Sequence, residues 1–282
     1  MFRRFALVRP MALLAALLPL GIKDAPAQST TPGAVFKADT VTLSLVAEPP
    51  AADGRFRAAL TIDLEPGWKT YWIDPGEAGI PPMIDTSQSR NAELEEVGYP
   101  APGRYEEAGF ETNGYSAPLA VALTLRKPKP ADSASLAVSV FLGVCHDVCI
   151  PVQAELSLDP DTAPNETGAV EAAFAALPRR DEAASDISGA SLDPDMTTLS
   201  VETTLAPTQA HDADLFVAGP KGWTFGSPAE IRSLGGRTVF EVPVLEKPRK
   251  EPSSALAVDA VMTLGETAVE ARELAVAIKP RT

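Results

Sequence analysis

Cys145 and Cys149 are the only two cysteines in this chain of 282 residues, and three residues separate them. Thiols at this spacing can brace the fold, exchange disulfides with other thiols, or bind a soft metal. As a brace, a disulfide closing so short a ring contributes only about 2 kcal/mol in the loop-entropy model, against about 4.7 kcal/mol for a ring of 100 residues. The position of the pair therefore favours a reactive disulfide, with a structural staple at a hairpin end as the alternative.

The sequence on either side of the cysteines predicts where their sulfurs point. In residues 136–144 and 150–158 every second side chain is apolar, as in strands that turn one face to a core. Pairing through the turn "HDV" would bring both apolar faces to the core and both sulfurs to the opposite, more polar face. An extended chain would hold the two Cα atoms roughly 13 Å apart, whereas a disulfide needs less than about 7 Å. A bonded pair therefore requires a hairpin with Cys145 and Cys149 as cross-strand neighbours.

The elements that position this hairpin are predicted from the same kind of pattern. Short alternating runs separated by Pro and Gly clusters occupy residues 34–160, and similar runs return from residue 187 onward. Many short strands without intervening helices indicate β-sandwiches. Between the two blocks, "NETGAVEAAFAALPRR" has helical spacing that ends at Pro178. In the first block the predicted strands are 41–47, 56–64, 119–125, 135–144 and 152–158.

The N-terminus predicts secretion. "MFRRFALVRP" carries three arginines, an eleven-residue apolar run follows, and Ala25 and Ala27 form an A-x-A cleavage site. We therefore predict a signal peptide over residues 1–27, with an uncleaved anchor as the alternative. The mature chain would lie in an oxidising compartment, the periplasm if the source is bacterial. No later segment reaches 18 uninterrupted apolar residues, so no transmembrane segment is expected after cleavage.

The charge of the chain excludes some classes of partner. Removal of residues 1–27 takes away four basic residues and one acidic residue, which changes the net charge from −14 to −17. Such a balance argues against nucleic acid, whose phosphates need basic patches. It also argues against electrostatic docking on anionic lipid.

Three stretches resemble the N-terminal periplasmic domain of DsbD-type thiol:disulfide interchange proteins, above all ScsB-like variants. They are "EPGWKTYW" (65–72), "GYPAPGRYEEAGFETNGYSAPLAVALTL" (98–125) and "VCHDVCIPVQAELSL" (144–158). The resemblance covers roughly residues 35–160, and the paired cysteines followed by Ile-Pro are its most specific part. The C-x3-C spacing is shorter than in the best-known members, and no transmembrane or thioredoxin-like domain follows.

The resemblance implies an immunoglobulin-like fold and a redox function. With the strand pattern, it predicts an all-β chain of two immunoglobulin-like β-sandwich domains joined by a short helical linker. The redox domain would span 34–160, the linker with its helix 161–186, and the second domain 187–282. The function implied is that of a periplasmic thiol:disulfide oxidoreductase, of the protein-disulfide reductase type, without a cofactor. It would relay reducing equivalents from a membrane-embedded donor on a separate chain to thioredoxin-like or disulfide isomerase clients.

The resemblance also assigns roles to side chains around the pair. Cys145 and Cys149 match the redox cysteines, and Cys149 takes the role of the sulfur that attacks or is attacked in mixed disulfides. "YEEAGF" is similar to a cap loop that shields the pair, with Phe110 as the lid ring and Glu106 or Glu107 as its acid. Ordinary packing of Phe110 is the alternative to a lid.

Four more residues belong to the predicted surroundings of the pair. Tyr71 and Trp72 would lie beside the lid, although aromatic residues in this position more often pack in a sandwich core. Asp147 would raise a thiol pKa by repulsion, and His146 would act in the opposite direction when protonated.

Two alternative functions remain open from the sequence. In the first, the chain is a periplasmic binding or scaffold module and the cysteine pair is a structural disulfide. In the second, the reduced pair handles copper(I) with help from His146, because thiolates are preferred ligands of soft metals. Two thiolates and one imidazole are a small ligand set, so we predict no metal site.

Overall fold

The structure is a computed structural model that describes residues 34–107, 109–181, 186–249 and 256–280, without the side chain of Glu107. The predicted signal peptide, residues 1–27, lies outside the described residues. Strands dominate the described part of the chain, and none of its helices is long and apolar enough to span a membrane.

The first half of the described chain forms two sheets. Its strands, β1 to β11 in chain order, are Val35–Lys37, Val41–Ala47, Arg55–Leu64, Lys69–Gly76, Met83–Asp85, Glu93–Gly98, Gly103–Glu107, Phe110–Tyr115, Leu119–Arg126, Leu136–Cys145 and Cys149–Leu158. One sheet has the order β1-β2-β3-β9-β6. The other has the order β11-β10-β4-β8-β7, and β5 pairs with β10.

The two sheets enclose one hydrophobic core, as the alternating sequence patterns predict. Leucines from both sheets are at most 1% exposed, namely Leu43, Leu60, Leu123, Leu136, Leu142 and Leu156. Burial of each such side chain stabilises the fold by roughly 1.5–3 kcal/mol relative to exposure. The core thus holds the cysteine-bearing strands β10 and β11 against the opposite sheet.

The predicted helix is present and packs on the first sandwich. Helix α1 spans Thr167–Ala175 and buries Val170 and Ala173, which pack against Ala59 of β3. The N-cap is Glu166, and no side chain caps it. The segment between the sandwiches is therefore docked along part of its length.

The second half of the described chain forms a nine-stranded arrangement. Its strands, β12 to β20, are Arg179–Arg180, Ile187–Leu192, Thr198–Thr203, Ala213–Ala218, Thr224–Phe225, Glu230–Leu234, Arg237–Glu246, Ala257–Leu264 and Thr267–Ile278. The order is β15-β19-β20-β13-β14-β18-β16, with β12 beside β20 and β17 beside β18. These strands surround a second core that includes Leu215, Phe225 and Phe240. The prediction of two β-sandwiches joined by a short helix is confirmed.

A third, smaller cluster lies where the two sandwiches meet. Trp72 of β4 packs edge-on against Phe216 of β15, with ring centroids 6.2 Å apart. Beside them the guanidinium of Arg104 makes two hydrogen bonds to the carboxylate of Asp214, at 2.8 and 2.9 Å. Apolar packing and a bidentate ion pair thus join the two sandwiches.

Candidate functional site

The two cysteines close the hairpin of β10 and β11. The strands pair in an unbroken antiparallel register from Leu136 opposite Leu158 to Cys145 opposite Cys149. Residues 146–148 form the turn, and a disulfide joins the cysteines, whose Cα atoms are 4.1 Å apart. The predicted cross-strand pairing is confirmed.

The two cysteines differ in their exposure to solvent. Cys145 is 1% exposed, whereas Cys149 is exposed and lies at the start of the outermost strand of its sheet. Val148 and Ile150, its neighbours in the chain, are 70% and 40% exposed. An incoming thiol from another protein can therefore reach the sulfur of Cys149 and finds apolar side chains around it.

Ile150 departs from the pattern in the sequence, which assigned it to the core face. Val152, two residues further along β11, is 6% exposed and belongs to the core. Alternation fixes the face to which a side chain points, but Ile150 lies next to the turn, where burial of that face ends.

Tyr71 is bonded to the disulfide. Its hydroxyl donates to the sulfur of Cys145 at 2.8 Å and lies 3.3 Å from the sulfur of Cys149. The geometry follows from pairing, because Lys69 is opposite Cys145 in the ladder between β4 and β10, and Tyr71 follows two residues later on the same face. The structure therefore brings this predicted residue to the pair.

The segment between β4 and β5, residues 77–82, lies over the same surface; we call it the covering segment. At Gly79 a Cβ atom would lie 2.6 Å from the ring of Tyr71, and at Gly143 a Cβ atom would lie 2.7 Å from Ile80. Such distances are too short for a side chain, so both glycines allow close packing. The covering segment thus packs on Tyr71 and on the strand that carries Cys145.

The turn residues 146–148 are exposed. The Nδ1 atom of His146 is 3.0 Å from the carboxylate of Asp147, and its ring is 5.8 Å from the ring of Trp68. A Cβ atom at Gly67 would lie 3.1 Å from the His146 ring. His146 and Asp147 therefore lie next to the disulfide, as expected from their position in the chain.

The predicted cap loop lies at the hairpin of β7 and β8. Phe110 is 51% exposed and lines a cleft together with the covering segment and Trp223. The lining of this cleft contains neither cysteine. Glu106 is exposed and lies opposite Glu111 in the ladder, and the side chain of Glu107 is outside the described part. The roles of Phe110 and the two acids remain predictions.

Trp72 points away from the sulfurs. Its side chain is 1% exposed and belongs to the cluster between the sandwiches, against Phe216. Successive residues of a strand point to opposite faces, so Tyr71 and Trp72 are separated by the strand itself. Of the two predicted aromatic neighbours, the structure brings Tyr71 to the pair and places Trp72 at the contact with the second sandwich.

Asp74 is a buried carboxyl that the sequence did not single out. It is 5% exposed, and it accepts hydrogen bonds from the backbone N–H groups of Gly76 and Phe225. Burial raises its pKa to about 7, and the nearby charge of Glu246 acts in the same direction. The covering segment and Asp74 both fall in "DPGEAGIPP", whose Pro and Gly content signalled only a turn.

The site offers sulfur chemistry and no group of metal ligands. Within residues 34–107, 109–181, 186–249 and 256–280 there is no cluster of three or more His, Cys, Asp or Glu side chains that could hold a metal ion. In the disulfide, moreover, neither sulfur is a thiolate, the form that binds metals.

Comparisons with known proteins point to the same chemistry. Residues 40–160 match the family model described as "Thiol:disulfide interchange protein DsbD, N-terminal". The crystal structure of the N-terminal periplasmic domain of ScsB from Proteus mirabilis is 24% identical, with a TM-score of 0.66, over 86% of this chain and 97% of that one. The DsbD N-terminal domain of Neisseria meningitidis in its reduced form is 15% identical, with a TM-score of 0.29, over 42% and 83%. No curated protein sequence matches.

The ScsB structure has the fold of both sandwiches, since the match covers 86% of this chain. The family model covers the first sandwich, including the hairpin with its disulfide. Residues 40–160 are therefore a domain of the DsbD N-terminal type, as the resemblance in the sequence indicated.

Proposed function

We propose that this protein is a periplasmic thiol:disulfide exchange protein that passes reducing equivalents through Cys145 and Cys149. The observation that carries the proposal is the unequal exposure of the two sulfurs. Cys149 lies at an exposed hairpin end, and Cys145 is buried beneath Tyr71. Disulfide exchange needs one sulfur that a partner can reach and a second thiol close by that resolves the mixed disulfide.

In the accepting step, a partner thiolate attacks the sulfur of Cys149 and the disulfide bond breaks. Cys145 leaves as a thiolate, and the Tyr71 hydroxyl, already 2.8 Å away, can hydrogen-bond to it. The partner's second thiol then attacks the partner's own sulfur in the mixed disulfide and releases Cys149. The partner ends as a disulfide, and Cys145 and Cys149, after taking up two protons, end as thiols.

In the donating step, the Cys149 thiolate attacks a client disulfide and forms a mixed disulfide with one client sulfur. Cys145 then attacks the sulfur of Cys149, which restores the internal disulfide and releases the client as a dithiol. Two electrons and two protons move in each direction, so no cofactor is needed. The exposed Val148 and Ile150 provide apolar surface for a partner at this point.

The partners proposed follow from the family. The donor would be a membrane-embedded thiol:disulfide protein on a separate chain, and the clients would be periplasmic thioredoxin-like proteins or disulfide isomerases. The proposal places this protein in the periplasm, the compartment named for the ScsB domain from Proteus mirabilis.

The experiment that tests the function uses a pair of variants. Cys145→Ala leaves Cys149 without its resolving sulfur, so this variant should accumulate covalent adducts with a thioredoxin-like protein in its disulfide form. Cys149→Ala is the matched control, and it should form few adducts because Cys145 is buried. Equal trapping by both variants would contradict the proposed roles.

The unmodified protein provides a second test. After equilibration in glutathione or dithiothreitol buffers, the fraction of free thiols gives the reduction potential. A value above about −300 mV is expected for an exchange protein. A disulfide that resists reduction until the protein unfolds would indicate a structural staple and would support the scaffold alternative.

A further inference from the structure

The covering segment, residues 77–82, lies between the disulfide and the second sandwich. On one side Gly79 and Ile80 pack on Tyr71 and Gly143. On the other side, the segment lines a cleft of about 620 Å³ whose opposite wall comes from residues 219–224 and from Leu245 and Glu246 of the second sandwich. One short segment is thus in contact with the redox site and faces the second domain.

A buried carboxylate fixes the start of the covering segment to the second sandwich. Asp74 accepts a hydrogen bond from the N–H of Gly76 at 3.0 Å and another from the N–H of Phe225. Phe225 belongs to β16, in the second sandwich. Buried polar groups of this kind are stable only while their partners remain in place, so the position of Asp74 depends on the contact between the sandwiches.

Two further side chains connect Asp74 to the second sandwich. Asn113 donates through Nδ2 to the backbone carbonyl of Asp74 at 3.1 Å, and its Oδ1 accepts from Nη1 of Arg104 at 3.0 Å. The same guanidinium holds Asp214 with two hydrogen bonds, donates to the carbonyl of Leu215 at 3.0 Å, and lies 4.6 Å from the ring centroid of Phe216.

The covering segment is also pinned to β8. The N–H of Glu77 donates to the carbonyl of Glu111 at 3.0 Å, and the N–H of Glu111 donates to the Glu77 carboxylate at 2.8 Å. The hydroxyl of Ser227, in the second sandwich, donates to the carboxylate of Glu111. The second sandwich therefore contacts Asp74, just before the covering segment, and also Glu111 of β8, to which the segment is bonded.

We propose that the second sandwich is a positioning domain: it holds the covering segment on Tyr71 and so keeps the Tyr71 hydroxyl on the sulfur of Cys145. This inference rests on the proposed function, because the position of that hydroxyl matters only if the disulfide exchanges with partners. Without the Arg104–Asp214 contact, Asn113 and Asp74 lose part of their support, and the covering segment holds Tyr71 less firmly in place.

Two matched variants test this role, because each removes one acid that joins the sandwiches. Asp214→Ala removes the partner of Arg104, which is linked through Asn113 to Asp74 at the start of the covering segment. Glu96→Ala removes the acid that pairs with Arg180 and Arg272 elsewhere in the same contact between sandwiches. The rate of disulfide reduction by dithiothreitol is measured for both variants and the unmodified chain, together with the urea midpoint of unfolding and the hydrogen exchange of the Gly79 and Ile80 amides.

The expected result is a reduction rate on the order of tenfold slower in Asp214→Ala, as for the loss of a hydrogen bond to a charged group, with faster amide exchange in the covering segment. Glu96→Ala should reduce at the rate of the unmodified chain even where its urea midpoint falls equally. Equal rates in the two variants, whether both lowered or both unchanged, would overturn the proposal. Because dithiothreitol is not a protein partner, this result is read separately from the adduct test of the proposed function.

Discussion

The hairpins β10–β11 and β19–β20 close in two different ways. The first turns through residues 146–148 and is closed by a disulfide. The second turns at Gly265 and Glu266, with Leu264 opposite Thr267 and the Thr267 hydroxyl bonded to the Leu264 carbonyl at 2.8 Å. A hairpin of similar length in the same chain thus closes with hydrogen bonds alone, which indicates that the architecture does not require the crosslink.

The two hairpins also differ in their place within the sheets. β11 is the outermost strand of its sheet, whereas β19 and β20 both have neighbours on either side. An exposed sulfur can react with another protein only where that protein can approach it, and the position of Cys149 on the outermost strand allows this. The comparison therefore favours a disulfide placed for reaction over one placed for bracing.

Removal of the disulfide should change the protein more than any other variant and tests whether the bond reacts or braces. In the double variant Cys145→Ser with Cys149→Ser, exchange with a thioredoxin-like protein should disappear. The free energy of unfolding should fall by only about 2 kcal/mol, because the ring is short. Urea denaturation with an exchange assay measures both quantities. A stability loss well above about 4 kcal/mol, with no exchange in the unmodified chain, would instead identify a staple.

The contact between the two sandwiches should respond to pH through Asp74. Burial raises its pKa to about 7, above the value in the unfolded chain. At pH values between the two, the Asp74 carboxyl is therefore protonated in the folded protein and ionised in the unfolded protein. The resulting stability is complete below about pH 4 and is lost as pH rises through 7. Between pH 5 and 8 the loss should be roughly 3 kcal/mol, measured by urea denaturation.

Asp74→Asn is the control for this pH dependence. The amide oxygen can still accept from Gly76 and Phe225, but the side chain no longer titrates. The profile of this variant should be flat over the same range. A decline that persists would assign the pH dependence to groups other than Asp74.

Tyr71→Phe tests the contribution of the hydroxyl next to the disulfide. The variant loses the hydroxyl that can stabilise the leaving Cys145 thiolate, and a hydrogen bond to a charged group contributes about 1.5–3 kcal/mol. Exchange should slow by at least roughly tenfold, as measured by stopped-flow kinetics with a protein dithiol. Tyr115→Phe removes an equally buried hydroxyl that donates to the Pro100 carbonyl at 2.8 Å and should leave the rate unchanged; equal slowing in both would contradict the role of Tyr71.

Gly265→Ala in the second hairpin should lower stability slightly and leave the disulfide unaffected. Gly265 has a φ of +57°, a conformation that costs an L-residue roughly 1–2 kcal/mol. The urea midpoint should fall accordingly, while the exchange rate at Cys149 stays at that of the unmodified protein. A change in exchange rate would mean that the second hairpin influences the disulfide directly.

Strands and the cysteine hairpin could be predicted from the sequence because their signals are local. The alternating runs 41–47 and 119–125 coincide with β2 and β9 within one residue. The limit of about 7 Å between bonded cysteine Cα atoms requires a turn if Cys145 and Cys149 form a disulfide, and that step needs no long-range contact. The helix was predicted from its spacing, but its packing on Ala59 was not, since apolar Ala-rich spacing does not identify the surface it will cover.

The surroundings of the disulfide were harder to predict because they depend on contacts between distant segments. "EAGIPP" has the composition of a turn, and its contact with Tyr71 depends on β4 leaving β10 after two ladder pairs. Likewise, alternation shows that Tyr71 and Trp72 face opposite ways, but not which of them meets the sulfurs. That choice is made by the pairing of Lys69 with Cys145.

Two neighbouring residues of strand β4 make different contacts: the Tyr71 hydroxyl bonds to the sulfur of Cys145, and the Trp72 ring packs against Phe216. A single inserted or deleted residue between Lys69 and Tyr71 would exchange the two faces of the strand. Trp72 would then point toward the disulfide, and Tyr71 would point toward Phe216. Length changes in this strand should therefore be selected against during evolution more strongly than substitutions, because no one-residue slip can satisfy both neighbours.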